Sequence, residues 1–532
     1  MNETELKLKK REKLRHIVRD LLGLVLIVLE GLLFYYVWTH FFNPFARNPY
    51  RFIGNYFLLG VYFTLTLIFS RIYGGIRFGY YRVFDLILSQ TVCAVVTNTV
   101  AYFVIVIPVA TWYLSPLPLL YMTGVDILLI VLWGILGNRI FCSLFPPQRL
   151  AVIYTRDSDL LAAKFAGRPD QYEIVRCIRL QLWGEDAAEE CTDRDCSAFT
   201  PQGQKAVSHT KDPWRAIDET GISEPMDGEI AAPVRPDTSA TVISGLLDQK
   251  LAACRDCDGI IIGDIRADIR NDLLKRCYSR GIRTYTLPKV SDVILKSSEI
   301  LHIFDSPVLL NRNYGLTAEQ EFVKRCFDLV LSLVGVIVAA PFMIVTAVCI
   351  KAEDGGPVFY KQKRLTKDGR EFEVIKFRSM RVDAEKDGVA RLATEGDPRI
   401  TKVGRVIRAC RIDEIPQILN ILKGDMSLVG PRPERPEICQ EYCREMPEFD
   451  YRLRVKAGLT GYAQIYGKYN TKPYDKLKLD LMYIQSYSLL LDLSLVLQTI
   501  KIVFMKESTE GVEAETAYTA EDNCPEKKGK TM

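Results

Sequence analysis

The chain has 532 residues, of which 48% are hydrophobic and 25% are charged, and its formal net charge is +4. That length is too great for one ordinary domain, and the hydrophobic residues are concentrated in blocks, which is typical of membrane proteins. No nucleic-acid partner is predicted for such a chain.

Four apolar segments near the N-terminus predict transmembrane helices. Each supplies roughly 17 to 22 mostly apolar residues, which is enough to cross a hydrocarbon core of about 30 Å. A cleaved signal peptide is the alternative for the first segment, but its apolar run is too long and no small-residue cleavage site follows it. We therefore expect residues 1–148 to form a bundle of four spanning helices. The segments are 21–38, 52–70, 86–108 and 117–137.

Basic residues in the loops predict the orientation of this bundle. The N-terminal arm KLKKREKLR is strongly basic, the second loop carries three arginines, and the third loop carries no charge. Because Lys and Arg are retained on the cytoplasmic side of short loops, the N-terminus is predicted to be cytoplasmic. An even number of crossings returns the chain to the cytoplasm near Arg139, so the chain from about Arg149 onward is predicted to be cytoplasmic. The 14 scattered cysteines agree with a reducing compartment.

The middle of the chain, residues 149–316, predicts a Rossmann-like α/β module. The strand-like runs LAVIYT, YEIVRCI, DGIIIGD and IRTYTLP alternate with helical segments, which predicts a parallel sheet covered by helices. A dinucleotide site needs a glycine-rich turn after the first strand, but here the turn reads YTRDSD, so we expect a regulatory or assembly module without NAD. Two segments are poor in large apolar residues and are therefore predicted to be disordered, an insertion at about 184–239 and the tail 507–532.

A further apolar segment, 329–350, has the length of a spanning helix but contains Pro341 in its middle. Proline removes a backbone donor and costs about 3 kcal/mol in a helix interior. Charged residues flank both ends, so neither end has a one-sided signature. We expect a re-entrant helix over 326–350 that breaks at Ala340 and Pro341 and leaves the membrane by the face it entered.

The region after this segment carries the candidate chemistry. All four histidines lie outside it, so a nucleophile must be another type of residue. Asp413 and Glu414 are adjacent carboxylates ahead of Pro416, and such a pair is able to present a nucleophile beside a ligand for a divalent cation. An Asp-Glu pair is also a common helix cap, so the pair alone leaves both interpretations open.

Basic residues surround this pair in the sequence. Arginine forks match phosphate oxygens, so these side chains are candidates for holding a diphosphate. The alternative is a membrane-surface patch attracted to anionic lipid, worth about 1 kcal/mol per charge, and the two are compatible. The residues are Lys376, Arg378, Arg405, Arg408, Arg411, Arg432 and Arg435.

The order and spacing of three blocks resemble the bacterial sugar transferase family, the monotopic phosphoglycosyl transferases. The blocks are GPVFYKQKRLTKDGREFEVIKFRSMR, DPRITKVGRVIRACRIDEIPQILNILKGDMSLVGPRPERPE and VKAGLTGYAQIYGKYN. The preceding helices and Rossmann-like module resemble the large members, which are polyprenyl-phosphate hexose-1-phosphate transferases that initiate exopolysaccharide, capsule or O-antigen synthesis. The resemblance implies a mainly α monotopic catalytic domain over 317–506, on the cytoplasmic face of the bacterial plasma membrane.

The resemblance also implies a two-step transfer. Asp413 would attack the sugar-linked phosphate of a UDP-sugar and release UMP, and polyprenyl (undecaprenyl) phosphate would then take the phosphosugar from the enzyme. Mg2+ would be held near Glu414. The Pro431, Arg432 and Pro433 segment is implied in nucleotide binding and Arg408 in phosphate contact, while Lys376 and Arg378 are candidates by their charge.

Two alternatives come from other classes. A catalytically inactive membrane scaffold or regulator of a glycan-assembly complex would retain the same domains, although the intact DE pair and GPRP sequence argue against it. A polytopic transferase would place its catalytic residues in loops between the first helices, where no carboxylate cluster is found. A homodimer through the membrane bundle or the middle module is included among the expected partners.

Overall fold

The computed structural model describes most of the chain, in two units. The first unit is Met1–Leu287 and the second is Pro288–Met532. The predicted disordered segments, about 184–239 and 507–532, lie outside the described residues except for Arg194–Asp195. The described residues are 3–46, 48–106, 115–155, 165, 167–180, 194–195, 240–254, 256–303, 306–311, 315–381, 397, 399–467 and 471–503.

The described part of the first unit begins with four long helices. Their interior is filled by side chains such as Phe34, Tyr62 and Met122, and the rings of Phe34 and Tyr62 stack with centroids 4.2 Å apart. Many large apolar side chains face outward, among them Ile53 and Leu128, as expected for helices that face hydrocarbon. The helices are α1 Glu3–Val37, α2 Phe52–Tyr73, α3 Val83–Ala101 and α4 Leu117–Leu144.

By length and hydropathy, four helices among the described residues are able to cross a membrane. Three overlap the second, third and fourth predicted spans, and the remaining helix lies in the second unit. The first predicted span, 21–38, falls in α1 and the turn Trp38–Phe42 that follows it. The four helices are Phe52–Tyr73, Val83–Ile105, Leu117–Leu144 and Ala318–Asp354.

A sheet follows the helices in the first unit. Within the described residues its strand order is β3-β2-β1-β4-β5, with β1, β2, β4 and β5 parallel and β3 antiparallel to β2. The parallel pairing agrees with the predicted alternation of strands and helices. Both faces of β1 are covered, because Ala151 and Ile153 pack in one cluster and Leu150 and Val152 in another. The elements are β1 Gln148–Tyr154, β2 Tyr172–Arg179, β3 Arg194–Asp195, α5 Ala240–Ala253, β4 Gly259–Ile262, α6 Ala267–Ser279 and β5 Arg283–Thr286.

The second unit begins before the boundary predicted at residue 317. Helix α7, Val290–Lys296, was predicted within the middle module, but Val290 and Val293 pack in the same cluster as Phe449 and Leu481. The remaining elements are β6 Glu299–Ile303, β7 Ser306–Leu310, α8 Ala318–Asp354, β8 Phe359–Leu365, β9 Glu371–Phe377, α9 Lys402–Ala409, α10 Gln417–Lys423, β10 Ser427–Val429, α11 Pro436–Glu445, β11 Gly458–Thr460, α12 Tyr462–Tyr466, α13 Pro473–Gln485 and α14 Leu489–Val503.

Helix α8 contains the predicted re-entrant segment and continues through Pro341 without interruption. The predicted break at Ala340 and Pro341 is therefore not observed as an end of the helix. The helix has a capping box at Thr317 and ends at Gly355, which has a left-handed φ of 70°. Proline removes one donor only, and the strongly apolar residues on either side keep their backbone groups paired inside the helix.

Residues near both ends of α8 contact other elements of the second unit. Arg325 donates to the carbonyls of Ile421 and Leu422 at 2.6 and 2.8 Å, and at the other end Asp354 pairs with Arg378. Ile350 packs with Phe377 and Ile407. The outward face of the middle of α8 is apolar and exposed at Val330, Leu333, Val334, Ile337, Val338, Phe342, Ile344, Val345 and Val348.

Candidate active site

The two candidate carboxylates lie on a short 3-10 turn, Ile412–Glu414, between α9 and α10. Arg411, immediately before the turn, has a left-handed φ of 56°, a conformation that costs a non-glycine residue about 1–3 kcal/mol and is concentrated at functional sites. Pro416 follows the turn and directly precedes α10. The sharp change of direction at Arg411 presents both carboxylates on the same short segment.

Glu414 lies between two basic side chains. Its Oε1 accepts hydrogen bonds from Lys376 Nζ at 2.8 Å and from Arg432 Nη2 at 2.9 Å, and Arg411 Nη1 lies 3.9 Å from Oε2. Burial alone would raise the pKa of Glu414, but Arg432 and Lys376 outweigh it and hold the pKa well below its ordinary value. Glu414 is therefore ionised at neutral pH and fixed in position.

Asp413 has the opposite environment. Among the described residues it makes no hydrogen bond or ion pair. Burial and the charge of Glu414 raise the pKa of Asp413, although Lys376 and Arg408 act in the other direction. A carboxylate that is not engaged by donors keeps its lone pairs available for attack on an electrophile.

The Pro431, Arg432 and Pro433 segment follows β10 and is held by its backbone. Gly458 N donates to Pro431 O at 2.9 Å, and Arg364 Nη1 donates to Pro433 O at 3.2 Å. Glycine is required beside the loop, because a Cβ on Gly430 would collide with the backbone of the neighbouring segment. These contacts fix the path from which the Arg432 side chain reaches Glu414.

A buried cluster of ion pairs contacts the backbone of this loop. The Arg452 side chain is 3% exposed, and its Nη2 donates to Arg432 O at 2.9 Å and lies 2.8 Å from Asp480 Oδ2. Glu434 lies 3.5 Å from the other Nη atom of Arg452. Burial raises the pKa of Asp480 to about 6, against the influence of Arg452.

Glu414 and Arg432 line an open pocket of about 260 Å³. Its wall includes Arg364 on β8 and Gln464 on α12, whose Oε1 is buried and has no hydrogen-bond partner in the described residues. Burial lowers the pKa of Arg364 to about 10. The lining residues are Arg364, Val374, Lys376, Glu414, Gln417, Arg432, Pro433, Gly458, Leu459 and Gln464.

Sequence reasoning missed Arg364 and Gln464. The orientation of Arg364 was predictable from the alternation of residues in β8. Lys361 and Lys363 lie on the exposed face of the hairpin, where they pair with Glu373 and Glu371. Alternation along a strand then places Arg364 on the other face, where Lys376 lies. Gln464 carried no such signal.

Not all predicted residues converge on the pocket. Lys376, Glu414, Arg432 and Pro433 line the pocket. Asp413 and Pro431 are not among its lining residues, although Asp413 is adjacent to Glu414 in the chain and Pro431 precedes Arg432. Arg378 instead pairs with Asp354 at the end of α8, with Nη1 2.8 Å from Oδ2. Arg408 lies close enough to oppose the raised pKa of Asp413, but its side chain makes no hydrogen bond among the described residues. Ala340 and Pro341 lie within α8.

Comparisons with known proteins identify the domain that carries this site. The family model described as bacterial sugar transferase matches residues 319–506. The chain is 38% identical over 248 residues to a UDP-N-acetylgalactosamine-undecaprenyl-phosphate N-acetylgalactosaminephosphotransferase of Aeromonas hydrophila, covering 44% of this chain and 58% of the relative. It is 36% identical over 238 residues to an undecaprenyl-phosphate galactose phosphotransferase of Salmonella typhimurium, covering 42% and 49%.

A third relative is matched over more of its length. A UDP-glucose:undecaprenyl-phosphate glucose-1-phosphate transferase of Caulobacter vibrioides is 40% identical over 182 residues, which is 33% of this chain and 68% of the relative. The matches to the Aeromonas and Salmonella proteins span less than two thirds of those relatives. The family match over residues 319–506 and the coverage of the Caulobacter relative show that the chain belongs to the bacterial sugar transferase family.

Proposed function

We propose that the chain transfers a hexose 1-phosphate from a UDP-sugar to polyprenyl (undecaprenyl) phosphate and so initiates the synthesis of a bacterial surface polysaccharide. The observation that carries the proposal is the pair of carboxylates with opposite environments. Glu414 is held by Lys376 and Arg432, whereas Asp413 is not engaged by any donor among the described residues. The named activities of the three relatives support the donor and acceptor classes.

In the first step an Asp413 oxygen attacks the phosphorus that bears the sugar. The bond from that phosphorus to the bridging oxygen breaks, and UMP leaves with the electron pair. In the second step an oxygen of polyprenyl phosphate attacks the same phosphorus, and the Asp413 carboxylate is released as the leaving group. The products are UMP and a polyprenyl-diphosphate sugar.

The basic side chains would hold the diphosphate in line for this attack. Lys376 and Arg432 already converge on Glu414, and the partly buried Arg364 lies on the same pocket wall. Positive charge fixed beside the phosphates stabilises the charge that develops in the transition state. Arg408 contributes a further positive charge on the side of Asp413.

Mg2+ is proposed as the cofactor, with Glu414 as its ligand. Proteins bind this ion through one or two carboxylates together with substrate phosphates. Glu414 Oε1 is taken by Lys376 and Arg432, but Oε2 has only Arg411 nearby, at 3.9 Å, so one oxygen remains available in the described structure. When bound, the ion would neutralise charge on the diphosphate.

We propose that α8 is re-entrant and that the second unit rests on the cytoplasmic face of the membrane. Support comes from the contacts of Arg325 and Asp354 near the two ends of α8, which are made to the same unit, and from the exposed apolar face between them. If α8 crossed the bilayer, its two ends would have to lie on opposite sides. The acceptor lipid would meet the nucleotide donor at this interface.

We also propose that the α/β region of the first unit is a Rossmann-like module with a regulatory or assembly role, and that a homodimer forms through it or through the membrane helices. The parallel strand order β2-β1-β4-β5 supports the fold assignment, because β1 occupies the position where the strand order reverses in doubly wound sheets. The turn after β1 has no glycine, which supports the absence of a dinucleotide.

The experiment that tests the proposal measures UMP release from a panel of UDP-sugars by the purified full chain with Mg2+ and polyprenyl phosphate. We expect one or few donors to react, and Asp413→Asn to reduce the rate by about 1,000-fold or more, as for the loss of other catalytic nucleophiles. The matched control is Asp450→Asn, at an exposed aspartate of the same unit, which should retain activity.

Mass spectrometry of wild type incubated with donor alone should find a phosphosugar adduct on the peptide that contains Asp413. Unchanged turnover in Asp413→Asn would remove this residue as the nucleophile. No UMP release from any donor by folded wild-type protein would favour the scaffold alternative.

A further inference from the structure

The membrane helices of the first unit contain two buried carboxyl groups that the proposed transfer does not use. Glu30 of α1 is 4% exposed and Asp126 of α4 is 0% exposed. Ionisable groups inside membrane helices are costly, and they are generally retained where they serve an ion, a proton or a ligand. These two therefore require a physical explanation.

No basic side chain neutralises this pair within the described residues. The buried polar side chains of the four helices are hydroxyls, amides and the two carboxyl groups, without Lys, Arg or His. Neither Glu30 nor Asp126 makes an ion pair there. A carboxylate buried without a counter-ion is strongly disfavoured, so the positive charge must come from outside the chain.

A polar network connects the buried groups across three helices. Asn98 Nδ2 donates to Asp126 Oδ2 at 2.8 Å and to Thr123 Oγ1 at 3.1 Å, and Tyr62 donates to Asn98 Oδ1 at 2.8 Å. Glu30 lies within electrostatic range of both Asp126 and Tyr62. Asp126 Oδ1 is buried and has no hydrogen-bond partner in the described residues.

A pocket of about 230 Å³ adjoins Glu30. Gln90, which is 4% exposed, lines it, and its Nε2 donates to Gly75 O at 2.8 Å. This bond fixes the amide so that Oε1 faces away from Gly75, and Oε1 has no hydrogen-bond partner within the described residues. Ser70 and Cys93 complete the polar wall. The lining therefore includes a carboxyl group and a buried amide whose oxygen has no hydrogen-bond partner within the described residues, and both groups are acceptors that suit a small cation.

We infer that the membrane bundle binds one small monovalent cation between Glu30 and Gln90, taken up as a hydrogen ion or as Na+. Asp126 provides a second carboxyl group within electrostatic range of Glu30, and it is hydrogen-bonded to Asn98. The inference does not depend on the proposed transferase activity, because the site lies in the first unit. A bound cation supplies the charge that this buried pair lacks.

The first test measures the thermal unfolding midpoint of the full chain in lipid nanodiscs, followed by tryptophan fluorescence. Trp38 is 1% exposed, and Trp133 packs among the helices, so both report on the bundle. Na+ is exchanged for choline at constant ionic strength, and in a separate series the pH is varied without Na+. Other titratable groups that face Glu30 are Tyr62, Cys93 and Asp126.

A midpoint that rises and saturates with Na+ supports a sodium site, and a response to pH alone supports a hydrogen-ion site. In either case Glu30→Gln should remove the response. The matched control Asp20→Asn changes an aspartate of the same helix whose side chain is 60% exposed, and it should keep the response. A wild-type midpoint that depends on neither cation, or a response that Glu30→Gln retains, would overturn the inference.

A second measurement needs no variant. A hydrophobic carbodiimide modifies protonated carboxyl groups inside a membrane, and the adduct can be located by peptide mass spectrometry. We expect wild type to be labelled at Glu30, with less labelling at higher pH or in the presence of Na+. Absence of an adduct at Glu30 under every condition, with labelling of other carboxyl groups, would contradict the inference.

Discussion

A buried ion pair joins α8 to the rest of the second unit, and its loss should lower the stability of that unit by a predictable amount. Lys324 of α8 and Asp492 of α14 form an ion pair with Nζ and Oδ2 2.5 Å apart, and their side chains are 7% and 0% exposed. The Tyr483 hydroxyl lies 3.1 Å from Lys324 Nζ and 2.8 Å from Asp492 Oδ1. Replacing one partner leaves the other charge buried and unpaired.

We expect Lys324→Met to destabilise the second unit by about 3–5 kcal/mol, the usual cost of breaking a buried ion pair. For a unit of this size that corresponds to a fall of about 6–20 °C in the unfolding midpoint. The double variant Lys324→Met with Asp492→Leu should recover most of the loss, because no isolated charge remains. The matched control is Lys363→Met, whose side chain is 72% exposed and pairs at 3.2 Å; it should change stability by less than about 0.5 kcal/mol.

The assay follows unfolding in detergent through thiol labelling of Cys439, which is 4% exposed and lies in the core of the second unit. Burial raises the pKa of Asp492 even in the wild type. A carboxyl group whose folded-state pKa is raised favours the folded state at low pH and loses that contribution as the pH rises. The deficit of Lys324→Met should therefore shrink as the pH is lowered from neutral towards the ordinary aspartate range. Equal stability of Lys324→Met and Lys363→Met would refute the reasoning. A double variant that is no more stable than Lys324→Met would show that the loss comes from packing and not from an unpaired charge.

Three further predictions concern the site and the membrane helix. Arg408→Met removes a positive charge that lowers the pKa of Asp413, so that pKa should rise. The fall of kcat/KM at acidic pH, which reports protonation of the nucleophile, should therefore begin at a higher pH than in the wild type. An unchanged pH profile would contradict this. Arg364→Met should raise the KM for the UDP-sugar by about 10- to 150-fold, as expected for a lost charged hydrogen bond of about 1.5–3 kcal/mol, with the thermal midpoint measured alongside. Cys326 and Cys349 are exposed near opposite ends of α8. In variants that keep only one of these cysteines, a membrane-impermeant maleimide should label each of them from the same side of sealed vesicles. Labelling from opposite sides would establish a spanning helix.

Sequence patterns named candidate residues more readily than they predicted the contacts among them. Adjacent Asp413 and Glu414 lie together whatever the fold. Their meeting with Lys376 and Arg432 requires a hairpin and a loop to approach from distant parts of the chain, which only the family resemblance could supply. Arg378 shows the limit of local patterns. Alternation would place it on the same face as Lys376, but β9 ends at Phe377, and the chain then turns Arg378 towards α8.

Tertiary packing also overrode two local expectations. Proline propensity predicted an interruption of α8, but a single missing donor does not end a helix whose other backbone groups have no alternative partner in an apolar environment. The predicted boundary at residue 317 left residues 290–296 in the middle module, whereas Val290 and Val293 of α7 pack with residues far along the chain.

The two adjacent carboxylates are assigned to different roles by what surrounds them. Identical chemistry one residue apart could not by itself separate a nucleophile from a ligand. Lys376 and Arg432 hold the pKa of Glu414 low and occupy one of its oxygens, so Glu414 is ionised, fixed in position and the weaker nucleophile of the two, which suits the ligand role proposed for it. Asp413 lacks those donors, and burial with the neighbouring charge raises its pKa, so its oxygens are the more basic and less engaged of the pair. Where the environment moves the pKa values of two neighbouring groups apart, it also separates their chemical tasks, and that separation is the reason for proposing Asp413 as the group that attacks phosphorus.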